Sequence, residues 1–305
     1  MDDLNIMQEF TLKTLPNLDI AVLAALELLN KEELPIVNLQ LKKALVIGSG
    51  NALVTGKIMF EETDAIFADE STYERKLKGI KHVVLISASG SKHAIKLAEK
   101  LKKLKISLKL LTCNEEAPAK EFINSKNIFF FPKNREPYTY NVSTYLSMIL
   151  SKTKENPKEI LEFIQTKIDQ NVPKDLSKYN SFFIIIPKKF ELLREMFLNK
   201  FDELFGAVIS ARVFTSEQIR HGKTIVPSNK ELFISIGEEN NIYGSERLNL
   251  PLPQNADYAA VMAIGYYLIG KIQEQNKHYF KNNLLTYTKE ISKIFNQEIK
   301  PIVEG

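Results

Sequence analysis

"LISASGSKHAIKLAEKLKKL", residues 85–104, decides the fold. An apolar run ends at Ser87, a bend of serines and glycine follows, and apolar residues then recur at helical spacing through Ile95, Leu97, Ala98, Leu101 and Leu104. Lys96, Lys100 and Lys103 fall on the opposite side, which makes them the solvated face of an amphipathic helix. A strand that passes through a short polar bend straight into a helix is half of a βαβ unit. Such a bend sets the hydroxyls of Ser87, Ser89 and Ser91 beside the unpaired amides of the first helical turn. There the helix dipole favours an anion, Gly90 allows close backbone approach, and Lys92 adds a charge. The same residues also make a tight βα turn with a good N-cap and no ligand.

Working outward, the pattern repeats. "KKALVIGSGNALVTGKIMFEE", residues 42–62, gives a strand over Ala44 to Ile47, a glycine turn and a helix. "TDAIFAD", "HVVLIS", "SLKLLTC" and "NIFFFP" predict further strands, with helical segments between them and a helix ahead of them over 18–31. Strands of unbroken apolar character separated by amphipathic helices indicate a parallel sheet covered on both faces. Beyond Pro173 a second series opens with "SFFIIIP", "KKFELLREMFLNKFDELFG", "AVISARVF", "TSEQIRHG" and "KELFISIG", before a long helix from Asp257 to about Glu274. After Ile236 there is room for a loop and one strand only. The expectation is an α/β chain of two tandem doubly wound parallel-sheet domains, flavodoxin-like, at 1–172 and 173–305. The second is shortened and ends in a helical tail.

With 44% hydrophobic and 26% charged residues, 305 residues can fill two cores. A formal charge of +4, from 41 basic and 37 acidic side chains, calls for no polyanion, and no aromatics interleave the lysines, so nucleic acid is not an expected partner. The lone Cys113 makes no internal disulfide and fits a reducing cytoplasm. No apolar run approaches the roughly 20 residues that span a bilayer, so no membrane partner is expected. The four histidines and the cysteine lack metal-ligand spacing, so no metal is expected. Gly48 and Gly50, with Asp69 about 20 residues on, begin a dinucleotide fingerprint that breaks where Leu53 stands in place of the third glycine. No cofactor is expected. With Ser49 and Asn51 the same turn serves as a wall of a sugar-phosphate pocket.

Together "VIGSGNALVTGKIMFEE", "LISASGSKHAIKLAEKL", "LLTCN" and "TSEQIRHGK" resemble the sugar isomerase (SIS) family of phosphosugar-binding proteins with tandem domains, over nearly the whole chain. In order they are similar to the isomerase domain of glucosamine-6-phosphate synthase, fructosamine-phosphate deglycases and bifunctional phosphoglucose/phosphomannose isomerases. The resemblance implies that Ser87, Ser89, Gly90 and Ser91 bind a sugar phosphate, with Lys92 in place of the family loop's threonine. It implies His221, in Gln218-Ile219-Arg220-His221-Gly222, as the ring-opening group, with Glu217 one place early for the family's E-x-x-H-G. It implies Glu203 as the base that moves a proton between C2 and C1. The family's C-terminal lysine falls by order near Leu285, which leaves Lys281 and Lys289 as substitutes, Lys289 being taken as the catalytic one. A homodimer is implied as well. The expected activity is aldose–ketose isomerisation of a hexose 6-phosphate or its amino derivative. The alternatives are C–N cleavage of a fructosamine or glucosamine phosphate, and phosphosugar binding without catalysis.

Overall fold

The structure, a computed structural model, describes residues 2–37, 43–222 and 226–305; Lys42 and Lys223, at the ends of two segments quoted above, lie outside them. Helix α1 (Asp3–Glu9) starts where the Asp2 carboxylate accepts the Asn5 amide at 2.9 Å, and α2 (Leu18–Leu29) is apolar around most of its circumference. Next come β1 (Leu45–Ile47), α3 (Asn51–Met59), β2 (Ile66–Ala68), α4 (Tyr73–Lys76), β3 (His82–Ile86), α5 (His93–Lys103), β4 (Ser107–Thr112) and β5 (Ile128–Phe130). The five strands form one parallel sheet in the order β2-β1-β3-β4-β5. One of its faces buries Leu45, Ile47, Val83, Leu85 and Leu110 against Ala94, Leu97, Ala98 and Leu101 of α5. Val46, Val84 and Leu111, which point the other way, are equally buried, which is why these strands carry no polar alternation.

The chain continues through β6 (Glu136–Pro137), α6 (Val142–Thr153) and α7 (Pro157–Phe163), with Asn156 capping and Pro157 in the first turn as the Asn-Pro pair predicts. Then come β7 (Ser181–Ile186), α8 (Leu193–Phe205), β8 (Ser210–Thr215), α9 (Ser216–Gly222), β9 (Glu231–Ile236), β10 (Glu246–Leu250), α10 (Tyr258–Glu274), α11 (Tyr279–Phe295) and β11 (Ile302–Val303). The second sheet is parallel in the order β10-β9-β7-β8, and β11 pairs antiparallel with β6. Taken from the β8 edge, its strands repeat the order of the first sheet with the fifth strand missing. This is the duplication and the shortening that the sequence predicts. No helix lies in residues 237–245, between β9 and β10.

Packing divides the chain into two units, one of Met1–Lys31, Asn134–Ser143 and Glu155–Gly305, the other of Glu32–Lys133 and Thr144–Lys154. The expected boundary at 172/173 falls inside the first of these. The leading helix, expected to go with the first sheet, packs on α10 instead. Its Leu18 amide donates to Gln273 Oε1 at 2.8 Å, and Gly270 lets the two backbones meet so closely that an added Cβ would lie 2.0 Å from the Asp19 amide nitrogen. Among the described residues no helix is long and apolar enough to cross a membrane.

Candidate functional site

The order β2-β1-β3 sends the connections from β1 and β3 in opposite directions along the sheet, which opens a crevice at their carboxyl ends. The turns 48–50 and 87–92 flank it. Each ends in the same backbone conformation just before its helix, Gly50 at φ 51°, ψ −127° and Lys92 at φ 55°, ψ −119°. Glycine adopts this freely, whereas a lysine there stores roughly 1 kcal/mol or more of strain. Neither α3 nor α5 has a side chain capping its first amides.

The bend is braced from behind. Thr112 Oγ1 and the Cys113 amide both donate to Ala88 O at 3.0 Å, and Asn114 Nδ2 donates to Ser89 O at 3.0 Å. The hydroxyls of Ser89 and Ser91 share a hydrogen bond of 2.7 Å, and the Gly90 amide donates to Ser87 Oγ at 3.2 Å. Gly90 sits at φ +58°, and a Cβ there would come within 2.5 Å of the Ala117 methyl, so only glycine fits. Ser89 faces solvent, while Ser87, Ser91 and Lys92 are half-buried. Burial pushes the Lys92 ammonium down, against an opposing pull from Glu70. His93 Nε2 lies 3.5 Å from the Glu70 carboxylate, and with Lys92 beside it the rim carries both signs of charge.

On the other turn Ser49 and Gly50 are exposed and Asn51 is half-buried. Asp69, the acid of a would-be dinucleotide fingerprint, spends its carboxylate on its own turn. The hydroxyls and amides of Ser71 and Thr72 donate to it at 2.7 to 2.9 Å and hold it down to about 2. The glycine that packs helix on strand is Gly56, where a Cβ would lie 2.7 Å from Val46 Cγ1; it does so one turn later than the fingerprint requires. The chain fits a nicotinamide cofactor poorly. Among the described residues no three His, Cys, Asp or Glu side chains gather to hold a metal.

In the unit that holds the second sheet, Glu203 lies at the end of α8, 27% exposed, and accepts from Lys200 Nζ at 2.6 Å. Lys200 is fully buried, and its ammonium also donates to Thr139 O at 2.6 Å and Tyr140 O at 3.0 Å. Those carbonyls are aimed by a turn in which Thr139 (φ 79°) and Asn141 (φ 46°) are both left-handed, a strain of the kind found at functional sites. Glu136 anchors the turn, accepting from the Val142 and Ser143 amides and the Ser143 hydroxyl; burial pushes its carboxyl up. The sequence reading missed Lys200. Its one signal is a lysine in line with Met196, Phe197, Phe201 and Leu204, on the buried stripe of α8.

The other expected residues are dispersed. Glu203 precedes β8 and His221 follows it, and that strand alone is about 20 Å long; no hydrogen bond or ion pair joins them. His221 is exposed near the end of the short α9. Lys289 is exposed on α11, and burial pushes the Lys281 ammonium down, against a pull from Asp19 and Glu274. What α11, packed on α8, does bring is Tyr287, whose ring meets that of Tyr138 with centroids 6.1 Å apart, and the Glu203 charge adds to the upward push on both phenols.

No protein-family model and no curated protein matches the sequence. Solved structures do match. Tagatose-6-phosphate ketose/aldose isomerase from Escherichia coli superposes with a TM-score of 0.56 at 13% identity, over 79% of this chain and 84% of its own. Glucosamine-6-phosphate deaminase from Thermotoga maritima gives 0.57 at 16%, over 92% and 99%. The C-terminal domain of glucosamine-fructose-6-phosphate aminotransferase from Francisella tularensis gives 0.52 at 13%, over 88% and 93%. The resemblance carried by the sequence motifs therefore holds at the level of the fold.

Proposed function

We infer that this protein binds a hexose 6-phosphate or amino-hexose 6-phosphate, with the phosphate at the bend 87–92 and the first turn of α5, and interconverts its aldose and ketose forms. The observation that carries this reading is the bend. Three serines, a glycine forced by close packing and a half-buried lysine stand over uncapped helix amides at the switch point of a parallel sheet. Gly48, Ser49, Gly50 and Asn51 supply the facing wall. Glu203 is the base that takes the proton at C2 and returns it at C1, with Lys200 fixing its orientation. His221 is assigned to ring opening and Lys289 to the developing oxyanion on the resemblance alone. The activities named for the matched structures, isomerisation and deamination of sugar 6-phosphates, are the chemistry this reading extends to the chain. A homodimer in a reducing cytoplasm belongs to the same proposal.

The exposure of His221 and Lys289, neither of which has a hydrogen bond or ion pair to Glu203 among the described residues, favours a second reading, a phosphosugar-binding protein without turnover. Calorimetric titration with fructose, glucose, mannose and glucosamine 6-phosphates, beside coupled assays of isomerisation and ammonia release, separates the two. Binding with aldose–ketose turnover supports the isomerase, ammonia release supports C–N cleavage, and binding alone supports the sensor. Ser89→Ala and Lys92→Ala weaken binding under each. Indifference to all four sugars removes the whole proposal.

A further inference from the structure

Glu203 and Lys200 leave one chemical requirement unmet, for Lys289, assigned to it by resemblance alone, is exposed and among the described residues has no hydrogen bond or ion pair to Glu203. Taking a proton from the carbon beside a carbonyl places negative charge on the carbonyl oxygen, which needs a hydrogen-bond donor at that spot. An ammonium has three protons to give. Those of Lys200 go to Thr139 O, Tyr140 O and Glu203 Oε2, and the group has no access to solvent. Lys281 belongs to the surroundings of Asp19 and Glu274.

Two phenols remain on segments that meet α8: Tyr138, next to the Thr139 whose carbonyl holds Lys200, and Tyr287 on α11. Tyr138 immediately precedes the strained Thr139, and its amide is tied to Pro301 O at 2.8 Å. Tyr287 stands on α11, which packs on α8, and is 41% exposed, so a ligand can reach it. The rings touch at 6.1 Å with a 40° tilt, and among the described residues neither hydroxyl has a hydrogen-bond partner.

We propose that Tyr287, supported by Tyr138, is a further catalytic residue that moves protons between the two substrate oxygens while Glu203 moves one between the carbons. This rests on the isomerase reading above. The Glu203 carboxylate takes the proton from C2 of the open-chain aldose; the C–H electron pair becomes the C1=C2 double bond, and the carbonyl π pair moves to O1, which takes the Tyr287 proton. The phenolate then accepts the proton of the O2 hydroxyl as O2 becomes the new carbonyl, and Glu203 returns its proton to C1. Both side chains end as they began. Burial, then Glu203 and Asp202, push the Tyr287 phenol up, which keeps it a proton donor at neutral pH. Tyr138 is pushed up by burial, by Tyr287 and by Glu203.

The test uses the full chain carrying Tyr287→Phe or Tyr138→Phe, each of which keeps its ring and loses only the hydroxyl. Turnover of hexose 6-phosphates is measured beside affinity for fructose 6-phosphate and for a phosphorylated aldonohydroxamate, whose hydroxamate imitates the enediolate. For Tyr287→Phe, kcat falls about 100-fold with KM within about twofold, and hydroxamate affinity falls at least tenfold while fructose 6-phosphate affinity holds. Tyr138→Phe shows the same split at about a tenth of the size. If Tyr287→Phe keeps its turnover and binds the hydroxamate as the unaltered protein does, the tyrosine role is overturned and the isomerase reading stands. If the unaltered protein turns over no sugar phosphate and binds the hydroxamate no better than fructose 6-phosphate, the isomerase reading falls and the tyrosine role with it.

Discussion

Lys200 shows how far a single residue can be read from sequence. A lysine among Met196, Phe197, Phe201 and Leu204 reads equally as a side chain that lays its stem on an apolar face and lifts its charge into water. The fold decides otherwise, because the turn 139–141 brings two carbonyls to the ammonium before it can reach solvent. Lys200→Met should therefore leave Thr139 O and Tyr140 O without a donor and Glu203 without a partner, at a cost of about 3 kcal/mol. Glu203→Gln, at a partly exposed position, should cost about 1 kcal/mol. Urea midpoints of the two variants check this ordering, and a Lys200→Met midpoint equal to that of the unaltered protein would show the ammonium to be no anchor. Gly90 is the opposite case. Its place in Ser-Ala-Ser-Gly-Ser marks a bend, and the structure adds only that Ala117 closes the space behind it.

At the scale of elements, the strands and helices of both sheets are legible because burial on two faces demands unbroken apolar strands, and a helix buried on one face demands a 3.6-residue period. The two-residue strands β6 and β11 have no such pattern. They exist because Ile302 and Val303 pair with Pro137 and Glu136, and because Arg135, stacked 4.3 Å from the Phe10 ring, reaches Glu304 at 3.2 Å. The start of α10 is a similar case. Asp257 is a recognisable cap, but the heavier one is Glu155, whose carboxylate accepts the amides of Asp257, Ala259 and Ala260 at 2.8, 2.9 and 3.1 Å. Glu155→Ala should cost about 2 kcal/mol, and Glu155→Gln, which keeps an acceptor but loses the charge at the positive helix end, about 1 kcal/mol. Hydrogen exchange at residues 257–260 should quicken in the same order. Unchanged exchange in the alanine variant would count against the cap.

For the molecule as a whole, α2 against α10 buries an acid that neither helix would bury alone. Asp19 is 4% exposed with one oxygen unpartnered, and burial pushes its carboxyl up to about 6, against a counter-pull from Lys271 and with Glu274 adding to the rise. A carboxyl that holds its proton more tightly folded than unfolded stabilises the fold at low pH, and loses that contribution as pH rises through about 6. Asp19→Asn should therefore be more stable than the unaltered protein at pH 7.5, by on the order of 2 kcal/mol, and equal to it below about pH 4. Urea midpoints at the two pH values measure the difference, and a gap independent of pH would refute the assignment. By itself the sequence determined what depends on local period and local chemistry: two parallel sheets, the shortening of the second, the glycine turns, and the hydroxyl bend at the head of α5. Only the tertiary structure decided that α2 packs on α10, that Lys200 holds Glu203, that His221 and Lys289 are exposed, and that Tyr138 and Tyr287 meet ring to ring. These are pairings between residues far apart in the chain. Their energy comes from desolvation and from mutual hydrogen bonding, which have no period along the sequence for a reader to detect.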